Sequence, residues 1–207
     1  MIWCHGFRAD ALAHAAELEM CAQSGILAVG IDAVGHGARS DPELPDWLAG
    51  SPDGAMPVML DLVEQTVREL PALIDALQAQ YGVQRTRVSM VGISMGAFLA
   101  YRSIAAGVPL RAVVALLGTP KWPGETSAHR SPTAFGNVAL LSITAEYDMS
   151  VSPNDVAPFH EQLARAVPAG VARRDHHFVL RDSGHLTSAD AWQRAMRVTL
   201  QWLQRMG

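Results

Sequence analysis

The sequence predicts an α/β protein: a three-layer α/β/α sandwich on a mostly parallel sheet of about six strands, with a minimal lid. Three observations carry this. Short apolar runs alternate with longer helix-forming stretches along the whole chain, as strand–helix–strand crossovers do. The runs are short and mainly apolar, with β-branched residues, as buried strands are. Apolar residues make up 49% of the 207 positions and charged residues 17%, which suits a well-filled core and not a disordered chain. No repeat, low-complexity tract or linker interrupts the pattern, so residues 1–207 read as one domain.

The elements follow in order. A strand stub at Ile2 to Cys4 leads into the loop His5-Gly6-Phe7-Arg8, then a helix from Ala9 to Ser24 that Gly25 ends. Ile26 to Ile31 is the second strand, and a Pro- and Gly-rich loop runs from Asp32 to Pro57. A long helix covers Val58 to Tyr81, with Pro71 expected to bend it. Arg87 to Val91 is a buried strand, and Ala97 to Ala106 is a helix of good formers. Arg111 to Leu117 and Val138 to Thr144 are strands separated by a loop containing Trp122. A helix near Asn154 to Ala166, a strand at His177 to Leu180 and a final helix from Ser188 to Arg205 complete the chain.

Composition excludes several functions. The net charge of −4 argues against nucleic acid or an anionic membrane surface as partner. No apolar run approaches the ~20 residues of a membrane span. The opening Met1-Ile2-Trp3-Cys4-His5-Gly6 lacks the basic segment and long apolar stretch of a signal peptide. Cys4 and Cys21, the only cysteines, read as free thiols of a cytoplasmic protein; a disulfide between them is the lesser alternative. His176-His177 has no carboxylate or thiol at metal spacing, and there is no G-x-G-x-x-G or P-loop, so neither metal nor cofactor is expected.

The chemistry centres on Gly92-Ile93-Ser94-Met95-Gly96, a G-x-S-x-G between a predicted strand and a predicted helix. A serine on so sharp a turn needs small neighbours, and the helix start places free N–H groups beside it. Alone, the five residues also describe a plain Gly-Ser turn. An acyl-transfer serine needs a base, a group to orient the base, and oxyanion donors. His185, after the last strand and before the final helix, is the base candidate. Asp148, closing the run that follows Val138 to Thr144, is the acid candidate, with Glu146 and Asp155 as rivals. The N–H groups of Phe7 and Met95 are the oxyanion candidates. Trp122, Met149 and Val151 are candidates for an apolar pocket, and Trp47 for its mouth.

The order Ser94, Asp148, His185, with His5-Gly6, resembles the α/β-hydrolase superfamily over essentially the whole chain. Asp32-Ala33-Val34-Gly35-His36-Gly37-Ala38-Arg39-Ser40 is similar to that superfamily's D-x-x-G-H-G-x-S turn, and Tyr147 to Val151 to its acid loop. Within it, the chain is similar to small bacterial esterases related to the dienelactone hydrolases and to prolyl-oligopeptidase catalytic domains. The resemblance implies a serine hydrolase of small carboxylic esters or thioesters, with structural roles for His5 and His36. A short-peptide peptidase and a catalytically silent binding protein are the alternatives. The resemblance also implies two strands ahead of the oxyanion loop, for which this chain has no sequence. The edge at Leu27 to Ile31 is therefore expected to be covered by an upstream extension, by a second subunit in a homodimer, or by a strand from elsewhere in the chain.

Overall fold

The computed structural model describes residues 1–51, 54–166 and 174–207; positions 52 and 53 of the predicted 32–57 loop lie outside these. One parallel sheet runs in the order β2-β1-β3-β4-β5-β6. Its strands are β1 Ile2–Cys4, β2 Val29–Ile31, β3 Ser89–Ile93, β4 Ala112–Leu116, β5 Ala139–Ala145 and β6 Asp175–Leu180. The helices are α1 Ala15–Gln23, α2 Leu44–Gly50, α3 Ala55–Tyr81, α4 Met95–Ala105, α5 Val156–Ala166 and α6 Ala189–Met206. No helix of the described residues is long and apolar enough to cross a membrane.

Alternation along the strands builds two cores. Ile2, Cys4, Met90, Val113, Ala115 and Leu140 pack with α3, α4 and α5 on one face. Trp3, Val91, Val114, Leu116, Leu141 and Ile143 pack with α6, and with Leu18 and Met20 of α1, on the other. Successive strand residues point to opposite faces, so strands buried on both sides are apolar at nearly every position, with Ser89, Ser142 and Thr144 as buried exceptions. From β1 the chain steps to β2 on one side, then crosses back to β3 on the other. The carboxyl ends of β1 and β3 flank this reversal, where open α/β sheets form their crevice.

Several boundaries differ from expectation. The helix predicted from Ala9 to Ser24 opens as a 3-10 turn, Ala11–His14, capped by the Asp10 carboxylate accepting from Ala13 N–H at 3.0 Å. Its α-helical part is only α1. Inside the predicted loop lies α2, with proline in its first turn and Leu44 buried; the surrounding Pro and Gly hid it. α3 continues through Pro71. β3 sits two residues later than predicted, so Ile93 directly precedes Ser94.

β2 has β1 as its one strand neighbour, and no strand of the described residues covers its outer edge. Coverage by another strand of this chain is thereby corrected for those residues: every other strand is used within the sheet. Leu27, just before β2, is 46% exposed. Cys4 and Cys21 are free and buried, and burial pushes the Cys4 thiol up to about 12.

A polar chain crosses the β5–β6 side of the molecule. Tyr101 of α4 donates to Ser142 Oγ on β5 at 2.7 Å, and Ser142 Oγ lies 2.8 Å from His160 Nε2 on α5. His160 Nδ1 lies 2.6 Å from the Asp175 carboxylate on β6. The His177 ring stacks on His160 at 5.7 Å, and its Nε2 is 2.8 Å from Thr144 Oγ1. Burial, with His160 and His176 adding to it, pushes His177 down to about 4. His177 is therefore neutral in the fold, while the unfolded chain takes up a proton near the ordinary value of about 6.5. Stability is expected to fall as pH drops from about 6.5 to about 4, with a ceiling of roughly 3 kcal/mol from this group. His5, His14 and His129, also held low by burial, add the same sign. Urea midpoints across this window should show a shallower slope for His177→Gln than for the unmodified chain.

Candidate active site

The elbow explains its own glycines. Ser94 has φ 53° and ψ −116°, a conformation that side chains rarely adopt. Its N–H donates to Leu116 O of β4 at 2.9 Å, and its carbonyl accepts from Ala97 N–H at 2.8 Å, so the turn is held from both sides. A Cβ on Gly92 would overlap the carbonyl of Gly96, and one on Gly96 would overlap the carbonyl of Cys4 at the end of β1. Gly118, after β4, faces Ala97 with the same lack of room. Backbone therefore packs on backbone around the serine, and α4 starts at Met95, immediately after it.

The same crowding brings the β1 loop to Ser94. A Cβ on Gly6 would sit 3.6 Å from Ser94 Cβ. Gly6 to Ala9 form a turn in which Gly6 O accepts from Ala9 N–H at 3.2 Å, with Arg8 at φ 63°. His5 fixes the base of this turn. Its Nδ1 lies 2.8 Å from Gly6 O, and its Nε2 accepts from Ala33 N–H at 3.1 Å. The His36 ring packs 5.1 Å from His5 and 5.4 Å from Phe7, with its Nδ1 3.0 Å from Val34 O. Asp32 ties the next turn, accepting from Ala11 N–H and Ala38 N–H at 2.8 Å each. Burial raises its carboxyl, but these two bonds, with His5 and Arg39 nearby, hold it below the usual value.

At the carboxyl ends of β3, β5 and β6 three side chains meet. Ser94 Oγ is 3.0 Å from His185 Nε2, and His185 Nδ1 is 2.7 Å from Asp148 Oδ2. The other Asp148 oxygen accepts from Ser150 N–H at 2.9 Å and Val151 N–H at 2.8 Å. With its side chain 2% exposed, this carboxylate is fixed in place and aimed at the imidazole. Of its rivals, Glu146 turns to Arg181 and Asp155 pairs with Lys121. The Met95 N–H opens α4, where helical N–H groups have no intrahelical partner and the dipole is positive.

The pocket candidates divide. Trp122 is 6% exposed and packs on Phe98 at 5.5 Å, so its ring belongs to the core under α4. Val151 is half-buried against the same core. Met149 is 94% exposed beside Asp148, and Leu186, which sequence reasoning passed over, is 95% exposed beside His185. Trp47 is partly exposed on α2. Among the described residues no group of three His, Cys, Asp or Glu side chains is placed to hold a metal ion.

Comparison with known proteins agrees with this architecture. The chain superposes on TT1662 from Thermus thermophilus with a TM-score of 0.79 at 23% identity, covering 99% of this chain and 87% of that one. For the Pyrococcus furiosus esterase Pf2001 the values are 0.73 and 17%, over 99% and 82% of the chains. For Arabidopsis thaliana SOBER1 they are 0.63 and 17%, over 99% and 97%. At these identities the likeness establishes the fold. No curated protein matches the sequence. Residues 48–207, most of the chain, beginning within α2, match the dienelactone hydrolase family, so this chain belongs to that family and is a hydrolase of carboxylesterase type.

Proposed function

We propose that the chain is a serine hydrolase that cleaves small carboxylic esters or thioesters through an acyl-enzyme on Ser94. One observation carries this reading: the hydrogen-bonded run Ser94–His185–Asp148, starting from a serine held at φ 53° directly before α4. In this reading Ser94 Oγ attacks the carbonyl carbon as His185 Nε2 takes its proton. Asp148 keeps the Nδ1–H tautomer and stabilises the imidazolium that forms. The Met95 and Phe7 N–H groups receive the developing oxyanion. His185 then returns the proton to the leaving alcohol or thiol. Water, activated by the same imidazole, attacks the acyl-enzyme and releases the acid, restoring Ser94. Met149 and Leu186 offer apolar contact on an open rim, which suits substrates reached from solvent.

The test is hydrolysis of short-chain nitrophenyl esters, with fluorophosphonate labelling, by the unmodified chain and by Ser94→Ala. The unmodified protein should turn over and be labelled on Ser94. The variant should lose roughly 10,000-fold or more in kcat and all labelling. Folded protein that is not labelled at Ser94 would overturn the nucleophile assignment. Labelling without ester turnover would overturn the ester assignment alone and favour a peptidase.

A further inference from the structure

His185 lies on the segment between β6 and α6, and Asp148 on the segment that follows β5. Their hydrogen bond is only as short as these two segments are close. Glu146 N–H donates to Leu180 O at 3.0 Å, continuing the β5–β6 ladder, and Tyr147 N–H donates to Ser183 O at 2.8 Å. A Cβ on Gly184 would lie 3.4 Å from Tyr147 O, so the segments touch there without a side chain between them. Between these contacts stands Asp182, with φ 53°, a left-handed conformation uncommon for any residue but glycine. The Glu146 side chain meets it there. One carboxylate oxygen accepts from Asp182 N–H at 3.1 Å, and the other pairs with Arg181 at 2.9 Å. The Asp182 N–H bond, with Arg181 assisting, holds the Glu146 carboxyl below the ordinary value.

We infer that Glu146 is a positioning residue for His185: its carboxylate holds the Asp182 N–H and so fixes the left-handed turn that sets His185 against both Asp148 and Ser94. The inference rests on the serine-hydrolase reading of the same site. Glu146 precedes the acid by two residues, and its bond falls three residues before the base, so one side chain braces both segments. The ion pair with Arg181 is secondary, because the guanidinium is 73% exposed and such pairs contribute little. What matters is an oxygen acceptor at that point, which glutamine retains and alanine does not.

Three variants test this on nitrophenyl acetate: Glu146→Ala, Glu146→Gln and Arg181→Met. In Glu146→Ala, kcat and the rate of fluorophosphonate labelling should fall together by roughly 10- to 100-fold, with KM within about twofold. Glu146→Gln should recover kcat to within about threefold of the parent, and Arg181→Met should stay within about twofold. Melting curves confirm that each variant is folded at the assay temperature. The inference is overturned if Glu146→Ala keeps full kcat, if its loss lies in KM, if glutamine recovers nothing, or if Arg181→Met falls as far as alanine. Failure of the serine-hydrolase reading shows separately, as unlabelled parent protein.

Discussion

Gly96→Ala should destabilise the protein by about 3 kcal/mol or more and remove activity at the same stroke. The added methyl would meet the Cys4 carbonyl, with the His5 carbonyl close behind. Both are backbone atoms of the segment that carries Phe7, so neither can yield as a flexible side chain would. Relief requires α4 to retreat from β1 or the Gly6 turn to move away from Ser94, and either displaces an oxyanion donor. For a chain of this size the melting temperature should drop by roughly 6–12 °C. Ester turnover measured well below the new midpoint should remain lost. Gly50→Ala is the control: no atom lies within 4 Å of the added Cβ, so its melting curve should match the parent's to within a degree or two.

His160→Ala should cost about 3–5 kcal/mol and leave the chemistry of Ser94 alone. It removes the group between Asp175 and Ser142 in a place where the His160 and Asp175 side chains are only 8% and 7% exposed. A buried carboxylate that loses its histidine is the costly case, and the Ser142 and Tyr101 hydroxyls lose the end of their chain as well. His185→Ala should show the opposite pattern. That ring is 20% exposed, so water can take its place at Asp148, whose other oxygen keeps the Ser150 and Val151 N–H bonds; the melting point should therefore fall less than in His160→Ala, while fluorophosphonate labelling disappears. Denaturation and labelling measured on both variants separate the two histidines. Equal effects on stability would contradict the contrast.

What the sequence shows plainly are features whose physics is local. Apolar runs mark the strands because a sheet covered on both faces buries residues of either parity, and most of them are apolar. Gly92 and Gly96 mark the elbow because no other residue fits, although only the structure shows that the obstacle for Gly96 is the Cys4 carbonyl. The order of Ser94, Asp148 and His185 pointed to side chains that the fold brings within hydrogen-bond reach. What was hidden depends on contacts distant in sequence. α2 lies among prolines and glycines and is helical because Leu44 finds a buried place. Trp122 and Met149 look alike as apolar residues near the site, yet one is buried on Phe98 and the other stands in solvent. Glu146 is a rival acid by its place in the sequence, whereas its carboxylate reaches Asp182. His160 gave no signal, since its partners Ser142 and Asp175 lie on two different strands.

The molecule thus contains two serine–histidine–aspartate runs with nearly the same spacing, 3.0 and 2.7 Å at Ser94 and 2.8 and 2.6 Å at Ser142. Ser142 is wholly enclosed, and the Tyr101 hydroxyl donates to its Oγ. A distance-based search for hydrolytic sites would return both, so spacing has no diagnostic force without solvent access and a helix start beside the serine.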